Sequence, residues 1–145
     1  VTVYETASCG AQFDGAHYRV WKAFTLDSAV RLRHAPEGDA RRRIHGHTFT
    51  LRLHLKAPLD QAMGWTVDFG DVKAQFAPLF ERLDHAPLHE LMDADGRDAD
   101  TASLARRIMT LATPLIPSLE RLDLHETRGC GVILQRGGSE PTLPV

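Results

Sequence analysis

The sequence has very little cysteine, no long apolar run and almost no net charge. Cys9 and Cys130 are the only cysteines in 145 residues and form no CxxC pair, which excludes a disulfide framework and a thiolate zinc site. Any metal must therefore be held by histidine and oxygen. No apolar run approaches the roughly 20 residues that cross a bilayer, and residues 1–11 lack a leader-like pattern. We therefore expect a cytoplasmic protein without membrane contact.

The charge balance also limits the choice of partners. A formal net charge of −2 argues against a nucleic-acid-binding protein. Arginines nevertheless crowd into one short region, at Arg31, Arg33, Arg41, Arg42 and Arg43. This region is either a solvated loop or a site for a substrate phosphate or carboxylate. The expected partner is a small molecule.

Hydrophobic periodicity predicts strands on both sides of two helices. Residues alternate from Tyr18 to Asp27 and again from His45 onward, which indicates two strands. Three- and four-residue steps then predict two amphipathic helices, and a last hairpin turns near Gly129. Asp68 or Asp71 opens the first of these helices, and Asp100 or Thr101 opens the second. This order predicts an α+β fold with a four-stranded antiparallel sheet and two helices on one face.

The same pattern divides the chain into three parts. Residues 1–17 are expected to be an N-terminal extension or an extra strand, and residues 18–136 form the single domain. Residues 137–145 are expected to be a flexible tail.

Three short constellations carry candidate chemistry. His45 and His47 lie two residues apart on one strand face, separated by Gly46, so both imidazoles can approach one metal ion. Asp84 precedes His85 at the end of the first helix, where a carboxylate can orient an imidazole for proton transfer; the alternative is that both merely close the helix.

The third constellation is Glu126-Thr127 at the end of a strand. Its carboxylate can accept two hydrogen bonds from a planar amidine-like edge, such as that of a pterin. The alternative is a surface glutamate in a turn.

Taken together, five segments resemble the 6-pyruvoyl- and 6-carboxy-tetrahydropterin synthases in order. They are Phe24 to Leu32, His45-Gly46-His47, Val67-Asp68-Phe69, Leu83-Asp84-His85 and Glu126-Thr127. The resemblance implies a T-fold (tunnelling fold), in which subunits join their sheets into an oligomeric barrel, commonly a hexamer. It also implies a lyase with zinc on three histidines, an aspartate-histidine pair for proton transfer and a glutamate that anchors the pterin.

The chain departs from this family pattern at three positions. In a gapless register from Phe24 to His47 the first zinc histidine falls on Val30 and the usual cysteine falls on Arg41. Further along, the resemblance places a glutamate near the start of the second helix at Ala102. Valine cannot bind a metal and arginine cannot accept a proton. Glu37 or Asp39 in the same loop is the candidate replacement for the cysteine.

A second register would supply a third zinc ligand. Residues 13–17 also resemble the segment that ends in the first zinc histidine, which would make His17 a ligand beside His45 and His47; His34 is the weaker alternative. This register turns Tyr18 to Asp27 into a loop, although the segment alternates as a strand does.

These observations lead to three hypotheses about function. The first is a lyase on a pterin or pterin-like substrate, with Asp84 and His85 as the catalytic pair, Glu126 and Thr127 binding substrate, and zinc on His45, His47 and His17. The second is an aldol, elimination or cyclisation step on a non-pterin metabolite. The third is an inactive module that binds a pterin or a partner protein.

Overall fold

The structure is a computed structural model that describes residues 1–13, 17–56 and 67–137. Six strands form one antiparallel sheet in chain order, β1 to β6. They are β1 Thr2–Thr6, β2 Cys9–Phe13, β3 Tyr18–Val30, β4 His45–Lys56, β5 Leu119–Thr127 and β6 Cys130–Gln135. The helices α1 Phe69–Leu83, α2 Leu88–Leu91 and α3 Thr101–Ala112 lie between β4 and β5 in the chain.

The predicted four-stranded sheet is therefore wrong in strand number, because the described part of the chain forms six strands. The four predicted strands correspond to β3 to β6. The two additional strands, β1 and β2, make a hairpin on the outer side of β3. Every residue of β1 is exposed, so β1 has no alternation between buried and exposed positions for the sequence to show.

The long strands β3 and β4 follow from their alternation. They pair along their full length, from Arg19 opposite Lys56 to Val30 opposite His45. The apolar residues of this pair face the helices, and Leu26 and Leu51 are fully buried there. On β4 the side chains of Thr50, Arg52 and His54 face the other way, so the sheet has a helix-covered face and a helix-free face.

Side-chain caps begin both long helices. Asp68 accepts hydrogen bonds from the backbone N–H groups of Gly70 and Asp71, and Asp100 does the same for Ala102 and Ser103. Each cap satisfies N–H groups that a helix start leaves without a partner. The buried stripes of α1 and α3 then pack on β3, β4 and β5, for example through Phe76 and Ile108.

Within the described residues, no helix is both long and apolar enough to span a bilayer. Residues 138–145 of the predicted tail lie outside the described part of the chain.

Candidate functional site

His45 and His47 lie on the helix-covered face at the start of β4, and their ring centroids are 5.1 Å apart. The Nδ1 of His45 is 2.8 Å from the carbonyl oxygen of Arg43, which accepts its hydrogen. This bond leaves Nε2 of His45 with a free lone pair. His47 stacks on Phe49 at 5.2 Å, which fixes its ring plane. Both imidazoles are half-buried and oriented by the strand.

Gly46 is not needed to make room for these rings. A Cβ built at Gly46 would meet no atom within 4 Å. Within one chain, a larger residue at position 46 would therefore not obstruct His45 or His47.

The structure separates His17 from the histidine pair. His17 precedes β3, whereas His45 lies opposite Val30 at the far end of that strand. Thirteen residues of β3 at about 3.3 Å each place the two ends roughly 40 Å apart. His17 therefore cannot complete the metal site of its own chain, and the register that used it is wrong because Tyr18–Val30 is a strand.

The remaining alternative, His34, points to another partner. Its Nδ1 is 3.2 Å from a carboxylate oxygen of Asp98, which also accepts the backbone N–H groups of Arg33 and His34. The position opposite His45 is Val30, which is buried and has no donor atom. Among the described residues no three histidine, cysteine or carboxylate side chains converge on one point. Within the described part of the chain, His45 and His47 are thus two candidate ligands, where a catalytic zinc ordinarily has three from protein.

Asp84 and His85 form a pair at the end of α1. The Nδ1 of His85 is 2.8 Å from Oδ2 of Asp84. Two backbone contacts with β3 hold the pair: Asp27 N–H donates to Oδ1 of Asp84 at 3.0 Å, and His85 N–H donates to the carbonyl of Asp27 at 2.6 Å. His85 has a φ of 55°, the left-handed conformation in which a non-glycine residue is uncommon and worth a functional explanation.

The electrostatics of this pair favour a protonated imidazole. The hydrogen bond to Asp84 and its negative charge raise the pKa of His85 above its usual value. Partial burial acts to raise the pKa of Asp84, but the hydrogen bonds from Asp27 and His85 outweigh it, so the pKa of Asp84 is lowered. The Nε2 of this exposed imidazole is directed away from the carboxylate partner, an arrangement in which a histidine can transfer a proton.

Glu126 lies at the end of β5 and faces the start of α3. The hydroxyl of Thr101 donates a short hydrogen bond to Oε1 of Glu126. The positive end of the α3 dipole also favours a carboxylate there. No hydrogen bond from the described residues reaches Oε2, so this oxygen can accept one from a ligand.

Thr127 does not join Glu126. Its side chain lines a cleft on the helix-free face together with Thr50 and His125. Thr101, which the sequence analysis considered only as a helix start, is instead the residue that contacts Glu126. Its neighbour Ala102, which the family resemblance places at a glutamate position, has no side-chain oxygen for such a contact.

The loop between β3 and β4 contains the two candidate replacements for the missing cysteine. Asp39 is bound to Arg41, whose side chain reaches its carboxylate at 2.7 Å, and this bond lowers the pKa of Asp39 to about 2. Glu37 is exposed and has no hydrogen bond or ion pair within the described chain. Of the two candidate carboxylates, Asp39 is therefore already paired with Arg41, whereas Glu37 has no such pair among the described residues.

These elements meet at one end of the sheet. The end of β3 carries Asp27 and contacts Asp84, the start of β4 carries the two histidines, and the end of β5 carries Glu126. Glu126 contacts Thr101 at the start of α3, so its side chain lies on the helix-covered face, as those of the two histidines do.

Known proteins with this fold point to one family. The sequence model described as 6-pyruvoyl tetrahydropterin synthase matches residues 19–137. The 6-pyruvoyl tetrahydropterin synthase of Caenorhabditis elegans is similar with a TM-score of 0.71 at 15% identity, covering 87% of this chain and all (100%) of that one. The Plasmodium falciparum synthase gives 0.59 at 13% identity, covering 81% of this chain and 98% of that one.

A third similar structure is that of a substituted synthase. The Plasmodium vivax 6-pyruvoyltetrahydropterin synthase has a TM-score of 0.53 at 13% identity and covers 81% of this chain and 98% of its own. The structure is of a mutant in which a glutamate, described as a catalytic residue, is replaced by cysteine. In that protein the catalytic residue is thus a glutamate.

Proposed function

This chain belongs to the 6-pyruvoyl tetrahydropterin synthase family, and from that membership we propose that it is a lyase that acts on a pterin or pterin-like substrate by acid/base chemistry. One observation carries the proposal: the Asp84–His85 pair, 2.8 Å apart, is fastened to the end of β3 by backbone hydrogen bonds. These hydrogen bonds fix the position and orientation of the imidazole, and proton transfer depends on both.

The roles follow from which atoms are free. Nδ1 of His85 faces Asp84, so Nε2 exchanges the proton with substrate. The raised pKa of His85 lets the imidazole hold that proton to a higher pH than an unpaired histidine does and release it to a developing anion.

Glu126 orients the substrate ring. Thr101 fixes one carboxylate oxygen, and the other can accept an N–H from the amidine-like edge of a pterin. Thr127 follows directly and provides backbone groups at the same strand end, while its side chain lies on the opposite face.

In this proposal Glu37 is a second proton-transfer group, in addition to His85. It lies in the loop where the family resemblance expects a cysteine, and Asp39 in that loop is bound to Arg41. A glutamate described as a catalytic residue in the Plasmodium vivax synthase supports this assignment.

The proposed acid/base mechanism does not depend on a zinc ion. His45 and His47 would be its ligands, and a bound zinc ion would polarise a substrate oxygen. The described residues of one chain supply only these two, so tight binding requires a donor from elsewhere.

We also propose a cytoplasmic homo-oligomer, a hexamer by resemblance. In one chain β1 and β6 are the edges of the sheet, each with a row of backbone groups available for another strand. Pairing these edges between subunits would close the sheet into a barrel.

The changes at Val30 and Arg41 favour a second candidate, a step of the aldol, elimination or cyclisation type on a non-pterin metabolite. His85 would transfer the proton in such a reaction as well.

Pterin binding and turnover test these proposals separately. Titration calorimetry with biopterin should show saturable binding to the wild type, loss of binding in Glu126→Ala and unchanged binding in Glu81→Ala, an exposed carboxylate on α1. Failure of the wild type to bind any pterin would refute the pterin proposal. His85→Ala should abolish turnover but retain binding; if the wild type binds pterins but no substrate is turned over, the protein is a binding module.

A further inference from the structure

A second cleft opens on the helix-free face of the sheet, opposite the histidines. Its volume is about 500 Å³. Its polar lining consists of Tyr4, Thr50, Arg52, His125, Thr127 and Arg128. We propose that this cleft binds a small molecule through a phosphoryl group, at a site independent of the proposed lyase centre.

The charge of the cleft is positive and uncompensated. Arg52 and Arg128 form no ion pair with the described residues, and none of the described residues that line the cleft carries a carboxylate. The carboxylate opposite Arg52 in the sheet is Asp123, which is fully buried and already bonded to Arg121 and His54. The guanidinium groups therefore lack an anion that they are well suited to bind.

Aromatic residues hold Arg52 in position. Its guanidinium lies 4.4 Å from the ring centroid of Trp21, in a cation–π contact. Tyr4, from the N-terminal hairpin, meets the same indole edge-on at 5.4 Å. Gly10 leaves room for this packing, because a Cβ there would come within 2.8 Å of the Trp21 ring and 2.5 Å of the Val3 carbonyl. The hairpin thus contributes both a wall of the cleft and the support for its arginine.

A second glycine positions His125. A Cβ at Gly131, the cross-strand partner of His125, would lie 2.6 Å from the imidazole. The ring therefore lies over β6 beside the turn that carries Arg128. Strands β4 and β5 and the turn after β5 thus place hydrogen-bond donors around the same cleft.

The number of donors favours a phosphoryl group. Two guanidinium groups, one imidazole and the hydroxyls of Tyr4, Thr50 and Thr127 exceed what the two oxygens of a carboxylate can accept. A phosphate ester or an oligophosphate presents three or more charged oxygens, and the cleft volume lies in the range of small-molecule sites.

Calorimetry on the full chain tests this site, with inorganic triphosphate and phenyl phosphate as probes in about 0.15 M salt to suppress weak surface attraction. We expect saturable binding of one or both probes, and the tighter one tells whether a free oligophosphate or a phosphate ester is preferred. Arg52→Gln and Arg128→Gln should each weaken binding about tenfold or more, the effect of losing a charged hydrogen bond. Arg128 lies in an exposed turn, so its variant tests the site even if Arg52→Gln perturbs the sheet.

Two controls distinguish this site from the alternatives. Arg82→Gln removes an exposed arginine from α1 and should leave affinity within about twofold. His47→Ala and Glu126→Ala should also leave it unchanged, whether or not the lyase proposal holds. Absence of saturable binding, equal loss in Arg82→Gln, or loss in His47→Ala would each overturn the proposal.

Discussion

Val30 lies directly opposite His45 on the neighbouring strand, with its side chain on the same face of the sheet. Cβ atoms of such facing residues are about 5 Å apart. A donor at position 30 would therefore reach the point where His45 and His47 converge, but valine has none. This one position separates a pair of imidazoles from a complete zinc site.

Restoring a donor there should create that site. We expect Val30→His to bind zinc near one ion per chain and at least about a hundredfold more tightly than the wild type, since a third imidazole ligand joins two existing ones. Competition with a chromophoric chelator measures the affinity.

The double variant Val30→His/His47→Ala is the control for that gain and should return to weak binding. Some loss of stability is expected as well, because Val30 is only 3% exposed. Equal zinc affinity in wild type and Val30→His would mean that the register or the ring directions differ from those described.

Asp84→Asn should lower the pKa of His85. The wild-type carboxylate accepts a hydrogen bond from His85 and adds a negative charge, which together raise the pKa of His85. A raised pKa stabilises the folded protein below the usual imidazole pKa near 6.5, and this contribution disappears as pH rises through the raised value. NMR titration of the His85 ring should show the shift. Glu81→Gln should show none, and an unchanged pKa in Asp84→Asn would contradict the pairing.

Residues whose role depends on local pattern were predictable from sequence. Alternation indicated β3 and β4, and Asp68 and Asp100 were recognised as caps because capping needs only neighbouring N–H groups. The His45–His47 and Asp84–His85 pairs are likewise local, being close in the chain.

Contacts across distant segments were not predictable. Thr101 contacts Glu126 from 25 residues away, and Asp27 anchors Asp84 from 57 residues away. Local pattern gives no sign of either contact, because both depend on how α1 and α3 pack on the sheet. For residues 1–17 the sequence left an extension and an extra strand as alternatives, because every residue of β1 is exposed and burial does not impose a pattern on it.

Gly10→Ala should destabilise the N-terminal hairpin. The added methyl group would come within 2.5 Å of the Val3 carbonyl and 2.8 Å of Trp21, so β1 or the indole must shift. We expect a loss of about 1–3 kcal/mol in unfolding free energy, the usual effect of overpacking, and altered tryptophan fluorescence. Gly46→Ala is the matched control, because its methyl group meets nothing within 4 Å. Equal effects from the two variants would contradict the close packing of β2 on Trp21.

Asp123→Asn should be among the most destabilising single changes in the sheet. Asp123 is fully buried, accepts hydrogen bonds from Arg121 at 2.6 and 2.9 Å, and accepts one from Nε2 of His54 at 3.1 Å. Losing the carboxylate charge breaks a buried ion pair with Arg121 and weakens the hydrogen bond from His54, which costs about 3–5 kcal/mol. Urea denaturation measures this loss. Glu120→Gln, which breaks the more exposed pair with Arg19, should cost about 1 kcal/mol or less.

The Asp123 carboxylate should also make the free energy of unfolding depend on pH in the acid range. Burial acts to raise the pKa of Asp123, but the hydrogen bonds from His54 and Arg121 outweigh it and lower the pKa to about 2. Burial also lowers the pKa of His54, so at neutral pH His54 donates as a neutral ring and Arg121 provides the charge. A lowered pKa stabilises the fold above the usual carboxyl value of 3.8, and about 2 kcal/mol is lost as pH falls from there through about 2. The unfolding free energy of Asp123→Asn should not show this decline. If the wild type and the variant lose the same unfolding free energy as pH falls, Asp123 is not the group responsible.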